Sequence, residues 1–207
     1  MNSVLSYIGG KSRLSKDIIP LIPPHKTYIE VFAGAAWIFF RKEPSKCEVL
    51  NDKDGELVSF YRVLQNHPEE FMRQFKWLLS SRELWNDFSR QLDADGLTDI
   101  QRAARYYYVQ RHSFGGKVRG RTFGTSTERA PKINLMRMEE DLSEAHLRLA
   151  NVTIENLDWQ NILKKYDRDS SLFYLDPPYY KAPYYKHNLE LSDYHVMAEA
   201  LKDIKGR

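Results

Sequence analysis

Asp176-Pro177-Pro178-Tyr179 is the stretch of this chain best equipped for chemistry. It follows directly on Leu172-Phe173-Tyr174-Leu175, an apolar run that reads as a short buried strand. Each proline fixes its φ and lacks an N–H, so the turn is stiff and its carbonyls stay available as acceptors. Asp176 adds a carboxylate acceptor, and Tyr179 adds a face on which a flat ring can stack. Two acceptors beside a stacking surface suit an exocyclic amine on a planar heterocycle. The carboxyl ends of strands in open α/β sheets are also where ligands bind.

Two other strand ends carry groups of the same kind. The run Tyr28-Ile29-Glu30-Val31-Phe32 leads into Ala33-Gly34, and Cys47-Glu48-Val49-Leu50 closes on Asn51-Asp52. A glycine just past a first strand lets a ligand approach the backbone, and an acid ending the second strand suits ribose hydroxyls. Gly34 stands without the other glycines of G-x-G-x-x-G, which argues against a nicotinamide dinucleotide and leaves a nucleoside ligand without phosphates. Gly9-Gly10-Lys11-Ser12 has the look of a phosphate loop. That loop needs a glycine where Leu5 stands, so this reading fails.

Positioning these groups requires an α/β frame. Helical spacing is expected over 37–42 and from about Gly55, where Leu57, Val58, Tyr61 and Leu64 share a face until His67-Pro68 breaks it. From about Pro68 to Met138 the character changes. Phe71, Phe75, Leu78 and Leu79 predict one amphipathic helix, Leu84, Phe88 and Leu92 a shorter one. A third, behind the Thr98-Asp99 cap, carries Ala104, Tyr107, Tyr108 and Arg111. Residues 113–124 hold too much glycine for a helix and read as a hairpin or extended loop. The α/β pattern then resumes. A helix over 138–149 leads to a strand at 152–154, then to Asn156-Leu157-Asp158-Trp159 and a short helix over 162–166. Beyond the strand before Asp176, a last helix behind a Ser192-Asp193 cap carries Val196, Met197, Ala200, Leu201 and Ile204. The expected organisation is a doubly wound α/β domain of residues 1–55 and 138–207, interrupted by a mostly helical insertion over 56–137.

Composition narrows the partners. The 207 residues carry a net charge of only +3, but eight Lys and Arg lie between Arg102 and Lys132 against the single acid Glu128. A basic segment on an otherwise mildly acidic chain is an electrostatic footprint for a polyanion. Cys47 is the only cysteine and the six histidines lack metal-ligand spacing, so neither a disulfide framework nor a metal site is expected. With no membrane-length apolar run and no signal-peptide pattern at the start, a reducing cytoplasm is the expected compartment and a membrane is not an expected partner.

Taken in order, Tyr7-Ile8-Gly9-Gly10-Lys11, Tyr28 through Gly34, Val49-Leu50-Asn51-Asp52-Lys53 and Asp176-Pro177-Pro178-Tyr179 resemble the Dam-like, D12 class N6-adenine-specific DNA methyltransferases. The resemblance covers nearly the whole chain. It implies a Rossmann-like S-adenosylmethionine-dependent methyltransferase sheet with a helical DNA-recognition insertion. It further implies methyl transfer to N6 of adenine in double-stranded DNA after the base is flipped out. By the same resemblance Tyr7 and Lys11 contact the cofactor and active site, Phe32 and Gly34 line the cofactor pocket, and Asp52 binds its ribose. Asp158, a looser match, lies near its adenine. Asp176 and the Pro177 carbonyl receive the target amine, Pro178 stiffens the motif, and Tyr179 stacks on the base. Arg111-His112-Ser113-Phe114-Gly115-Gly116-Lys117-Val118-Arg119 resembles the family's recognition segment. Arg119 is then the candidate reader of guanine, with Arg105, Arg111, Lys117 and Arg121 as further DNA contacts.

The chain departs from the family pattern in three places. The second glycine of Phe-x-Gly-x-Gly is Ala36, which fits there if its φ is negative. The turn asparagine is Gly115, so the target sequence does not transfer. Family members continue with further strands beyond a helix that ends here near Ile204, whereas this chain stops at Arg207. The expectation is a C-terminally truncated sheet whose catalytic strand offers an exposed edge, open to pairing with another chain. Two other readings stay open on the residues alone: methylation of another planar amine in RNA or protein, and a truncated DNA-binding remnant without activity.

Overall fold

The computed structural model describes residues 1–126, 128 and 135–207, with backbone alone at 135 and 136, and its frame is an all-parallel sheet. Among those residues β1 (Thr27–Glu30), β2 (Cys47–Asn51), β3 (Val152–Glu155) and β4 (Ser171–Tyr174) stand in the order β3-β2-β1-β4. Ile29 lies opposite Val49 on one side and Phe173 on the other. Side chains alternate across such a sheet, and both faces are covered. Ile29, Val31, Val49 and Phe173 point into a core with Trp159, Ile162, Leu163 and Met197. Tyr28 and Leu50 point the opposite way, into the larger core.

The connections place helices on the two faces. The short α1 (Ser15–Ile18) precedes the sheet, and α2 (Trp37–Arg41) joins β1 to β2. Between β2 and β3 run α3 (Gly55–Asn66), α4 (Pro68–Arg73), α5 (Arg82–Gln91), α6 (Asp99–His112) and α7 (Leu135–Leu149). Then α8 (Trp159–Tyr166) leads to β4, and α9 (Leu191–Ala200) follows it. α6 opens on a capping box in which Thr98 and Gln101 satisfy each other's exposed backbone N–H groups. Its tyrosines pack on α3, with Phe60 stacked on Tyr107 at 5.6 Å. One continuous core therefore joins the sheet's larger face to the helices of the insertion. No helix among the described residues is long and apolar enough to cross a membrane.

Several expectations change in detail. The helix expected through Leu79 stops at Arg73. Phe71 and Phe75 are buried, but Leu79 is exposed, because the Tyr108 hydroxyl donates to the Leu79 carbonyl at 2.7 Å and accepts from Ser81 N–H at 2.9 Å. Those bonds hold the segment in a turn. The last helix is capped by Glu190 rather than Ser192-Asp193: Asp193 sits one turn in and accepts from the Glu190 N–H at 2.8 Å. That helix ends at Ala200, so Ile204 lies beyond it. Residues 113–124 form a loop closed by an antiparallel bridge between Ser113 and Phe123, with a short 3-10 turn at Phe114–Gly116. Arg129 and Lys132 of the basic run lie outside the described residues.

Two corrections bear on the site. Ala36 has φ 50 and ψ 40, in the left-handed region, so the negative φ expected there is not adopted. The chain must turn sharply from β1 into α2 at this residue, and an alanine there carries strain of about 1–2 kcal/mol that glycine would not. The outer edge of β4 is also not bare along its whole length. The Arg207 N–H donates to the Ser171 carbonyl at 2.9 Å, and the Phe173 N–H donates to the Arg207 carbonyl at 2.7 Å. Backbone pairing thus covers the start of that edge.

Candidate active site

The chain winds from β1 through β2 to β3, then returns to set β4 against the other side of β1. At such a reversal the loops leaving neighbouring strands part in opposite directions and open a crevice. A cleft of ≈ 950 Å³, open to solvent, lies there. Tyr7, Lys11, Phe32, Gly34, Asp52, Asp158 and Asp176 all line it. Every residue singled out for the cofactor therefore meets in one crevice.

The β1–β2 side is a tight backbone corner. Gly34 has a φ of +47, and a Cβ there would fall 3.3 Å from the Tyr7 ring. Its N–H donates to Asp52 Oδ2 at 2.9 Å, and its carbonyl accepts from the Tyr61 hydroxyl at 2.7 Å. Asp52 Oδ1 accepts from the Asp54 N–H at 2.9 Å. Burial raises the Asp52 carboxyl to about 6, against the pull of those N–H donors. Asp158 is half exposed and pairs with Lys53 at 2.9 Å.

The β4 side is organised by Lys11. Its ammonium donates to Asp176 Oδ2, to the Tyr179 hydroxyl at 2.8 Å and to the Gly9 carbonyl at 2.9 Å. Gly9-Gly10 makes the turn that brings it there: Gly9 has a φ of +75, and a Cβ on Gly10 would lie 3.0 Å from the Trp37 ring. The glycines thus serve close packing and lysine placement rather than a phosphate cradle. Burial lifts the Asp176 carboxyl above its usual range although Lys11 pulls the other way. Burial alone would lower Lys11, but the bonds to Asp176 and Tyr179 outweigh it and keep the ammonium charged. Asp176 Oδ1 has no hydrogen bond among the described residues and is left for an incoming donor. The Tyr194 hydroxyl of α9 donates to the Pro178 carbonyl. Tyr179 is 51% exposed, with Tyr185 edge-on at 6.3 Å.

The cleft also holds residues to which sequence reasoning gave no role. Glu30 is 2% exposed, accepts from the Tyr28 hydroxyl and the Phe39 N–H at 3.2 Å each, and is raised to about 8 by burial. An acid within the otherwise apolar run Tyr28 to Phe32 is the available signal. Trp37, Asp54, Tyr185, Lys186, His187 and Leu189 also line the cleft. The 185–189 segment has no periodicity to mark it, and only the fold brings it back over the strand ends.

The basic residues are distributed unevenly around the cleft. The Arg105 Nε donates to Gln91 Oε1 at 2.6 Å, and the guanidinium lies over Phe88. Arg111 donates to the Val4 carbonyl at 3.4 Å, and Arg121 lies 5.9 Å from the Tyr106 ring centre. Lys117 sits 4.8 Å over Tyr184, and Arg119 is exposed.

A parallel α/β sheet with a cleft at its switch point and an Asp-Pro-Pro-Tyr corner on its rim defines the class of the molecule. The chain belongs to the D12 class N6 adenine-specific DNA methyltransferase family, whose model matches residues 7–204. It is 31% identical over 185 residues to the Type II methyltransferase M1.LlaDCHI of Lactococcus lactis subsp. cremoris, covering 84% of this chain and 64% of that protein. Identity is 27% over 184 residues with the Type II methyltransferase M.CviBI of Paramecium bursaria Chlorella virus NC1A, covering 86% and 69%. The DNA adenine methylase of Escherichia coli K12 is 24% identical over 183 residues, covering 84% and 64%. The chain thus spans about two thirds of the length of these relatives.

Proposed function

We propose that this chain transfers a methyl group from S-adenosylmethionine to N6 of an adenine swung out of double-stranded DNA, and that it does so in the cytoplasm. The observation that carries this reading is the convergence of Asp176 and Lys11 with Tyr7, Phe32, Gly34 and Asp52 on one cleft. The cleft suits the cofactor: the missing Cβ of Gly34 lets the Tyr7 ring close against a tight backbone corner on the cleft wall, and Asp52 stands at a strand end suited to ribose hydroxyls. Phe32, Gly34, Asp52, Asp158 and Tyr7 would hold it. When bound, S-adenosylmethionine supplies an electrophilic methyl group on a sulfonium centre.

The protein's task is to make a poor nucleophile attack in line. An adenine amine has its lone pair delocalised into the ring. Asp176 Oδ1 and the Pro177 carbonyl accept its two hydrogens and favour a pyramidal nitrogen with the lone pair free. Lys11 fixes Asp176 in place through Oδ2, and Tyr194 occupies the Pro178 carbonyl. Positioning of this kind can supply roughly 7–11 kcal/mol of a barrier. Extruding the base costs a few kcal/mol, which stacking on Tyr179 offsets by roughly 1–3 kcal/mol. Residues 56–137 act as the target-recognition insertion, with Arg119 reading a guanine and Lys117 meeting phosphate. Arg105, Arg111 and Arg121, each partly buried against protein groups, are further DNA contacts that contribute less than Arg119.

The test is sequencing of modified adenines in DNA from an unmethylated host that expresses the chain. Modified adenine at one short recurrent site is expected. Folded protein with no modified adenine, or labelled methyl on RNA or protein alone, would remove the proposal.

A further inference from the structure

α6 buries the amide of Gln110 completely. Its Nε2 donates to the Ser6 carbonyl at 2.8 Å and to the Gly116 carbonyl at 2.8 Å. Both neighbours are acceptors, so only the NH₂ end can face them, and Oε1 is left buried without a partner. An unpaired buried oxygen destabilises, and the two bonds from the NH₂ end to backbone carbonyls offset it, so an apolar side chain of equal length would exchange one cost for another. The net local effect on stability is small, and the two segments that the amide joins carry the larger consequence.

Ser6 leads into Tyr7 on the cleft wall, and Gly116 roots the turn that presents Lys117 and Arg119. The Ile8 N–H also donates to the Gly116 carbonyl at 2.9 Å. A Cβ on Gly116, whose φ is +67, would fall 2.7 Å from the Tyr7 nitrogen. Further along, the N–H groups of Val118 and Arg119 both donate to the Tyr184 carbonyl, at 3.1 and 2.9 Å. Tyr185, next in the chain, lines the cleft. The basic turn is thus bonded to two walls of the cleft at once.

We propose that Gln110 is a positioning residue that couples DNA held at the basic turn to the cofactor side of the cleft. The inference rests on the methyltransferase reading above. DNA that fixes the turn fixes Ser6-Tyr7 through the Gln110 amide, and by linkage the cofactor strengthens DNA binding by the same factor. Calorimetric titration of S-adenosylhomocysteine, with and without saturating duplex DNA, tests it on the full chain and on Gln110→Met. DNA tightens binding by about fivefold or more in the wild type. In Gln110→Met that factor falls by about half or more, the Ile8 and Tyr184 bonds keeping the rest, while affinity without DNA stays within about twofold and the thermal midpoint within a few degrees. A variant that keeps the wild-type factor, or a wild type whose affinity DNA does not change, overturns the proposal. If Gln110→Met does not fold, Gln110→Asn decides by the same titration, since its shorter amide cannot span both carbonyls. A wild type that binds neither ligand alone defeats the methyltransferase reading itself, a result the separate titrations distinguish from loss of coupling.

Discussion

The cleft and the basic turn both concentrate ionisable side chains, but they hold them in opposite ways. In the cleft, Glu30, Asp52 and Asp176 are withdrawn from water, and burial raises each of them. Each is gripped by named donors: Tyr28 and Phe39, Gly34 and Asp54, and Lys11. Around the turn the cations divide. Arg105 and Arg111 are bonded to the protein, whereas Arg119 is exposed. Charge in the cleft gains its chemistry from burial. Charge in the insertion acts on a polyanion in proportion to how far it reaches solvent, and by that measure Arg119 stands above the partly buried Arg105 and Arg111.

The largest effect that could break this contrast is at Asp176. Asp176→Ala removes the amine's acceptor and is expected to cut methyl transfer by about a thousandfold or more, on the scale of losing a preorganised transition-state contact. DNA binding should stay within about threefold of wild type, read by labelled methyl transfer beside an equilibrium binding assay. Lost affinity with transfer preserved would show that the corner belongs to DNA binding instead.

Glu30 tests burial by pH. Its folded carboxyl is raised to about 8 from 4.5, so between those values the folded state keeps a proton that the unfolded chain has released. Stability must then fall as pH rises through that window, by an amount on the order of a few kcal/mol. Asp52 adds a slope of the same sign up to about 6. Glu30→Gln should remove most of the loss between pH 6 and 9 in urea unfolding. An unchanged slope would mean that Glu30 is not the buried acid responsible.

The two arginines test the turn. Arg119→Ala should relax discrimination at one base pair by about 1–3 kcal/mol, whereas Arg105→Ala should change DNA affinity less than about threefold. Equal effects would erase the distinction between exposed and inward cations. The smallest effect is at Ala36. Ala36→Gly releases about 1–2 kcal/mol of left-handed strain, but it loses a buried methyl worth about 0.8 kcal/mol and adds chain entropy of about 0.4–1 kcal/mol. The expected change is within about 1 kcal/mol, measured by urea unfolding. A loss well beyond that would show that this alanine is not strained.

Much of the frame was legible because its signals are local. The strand-ending acids, the Thr98 cap, the stripe Leu57-Val58-Tyr61-Leu64 and the Asp-Pro-Pro-Tyr turn depend on neighbouring residues and fixed periods. The sequence also carried which residues meet in the cleft, since short motifs at successive strand ends of a parallel sheet converge on one edge. What it could not carry depends on partners far away in the chain. The positive φ of Ala36 follows from how β1 must turn into α2. Past α4 the chain runs in i→i+3 turns through Leu78, and Tyr108 then holds Leu79 and Ser81 off a helical path. The inward arginines, the return of Tyr185 to Leu189 over the cleft, and the Gln110 bridge between Ser6 and Gly116 were decided only by tertiary structure. Residue type sets what a group can donate, accept or stack on. Whether it meets solvent, a carbonyl or another charge is set by long-range packing, which no local pattern records.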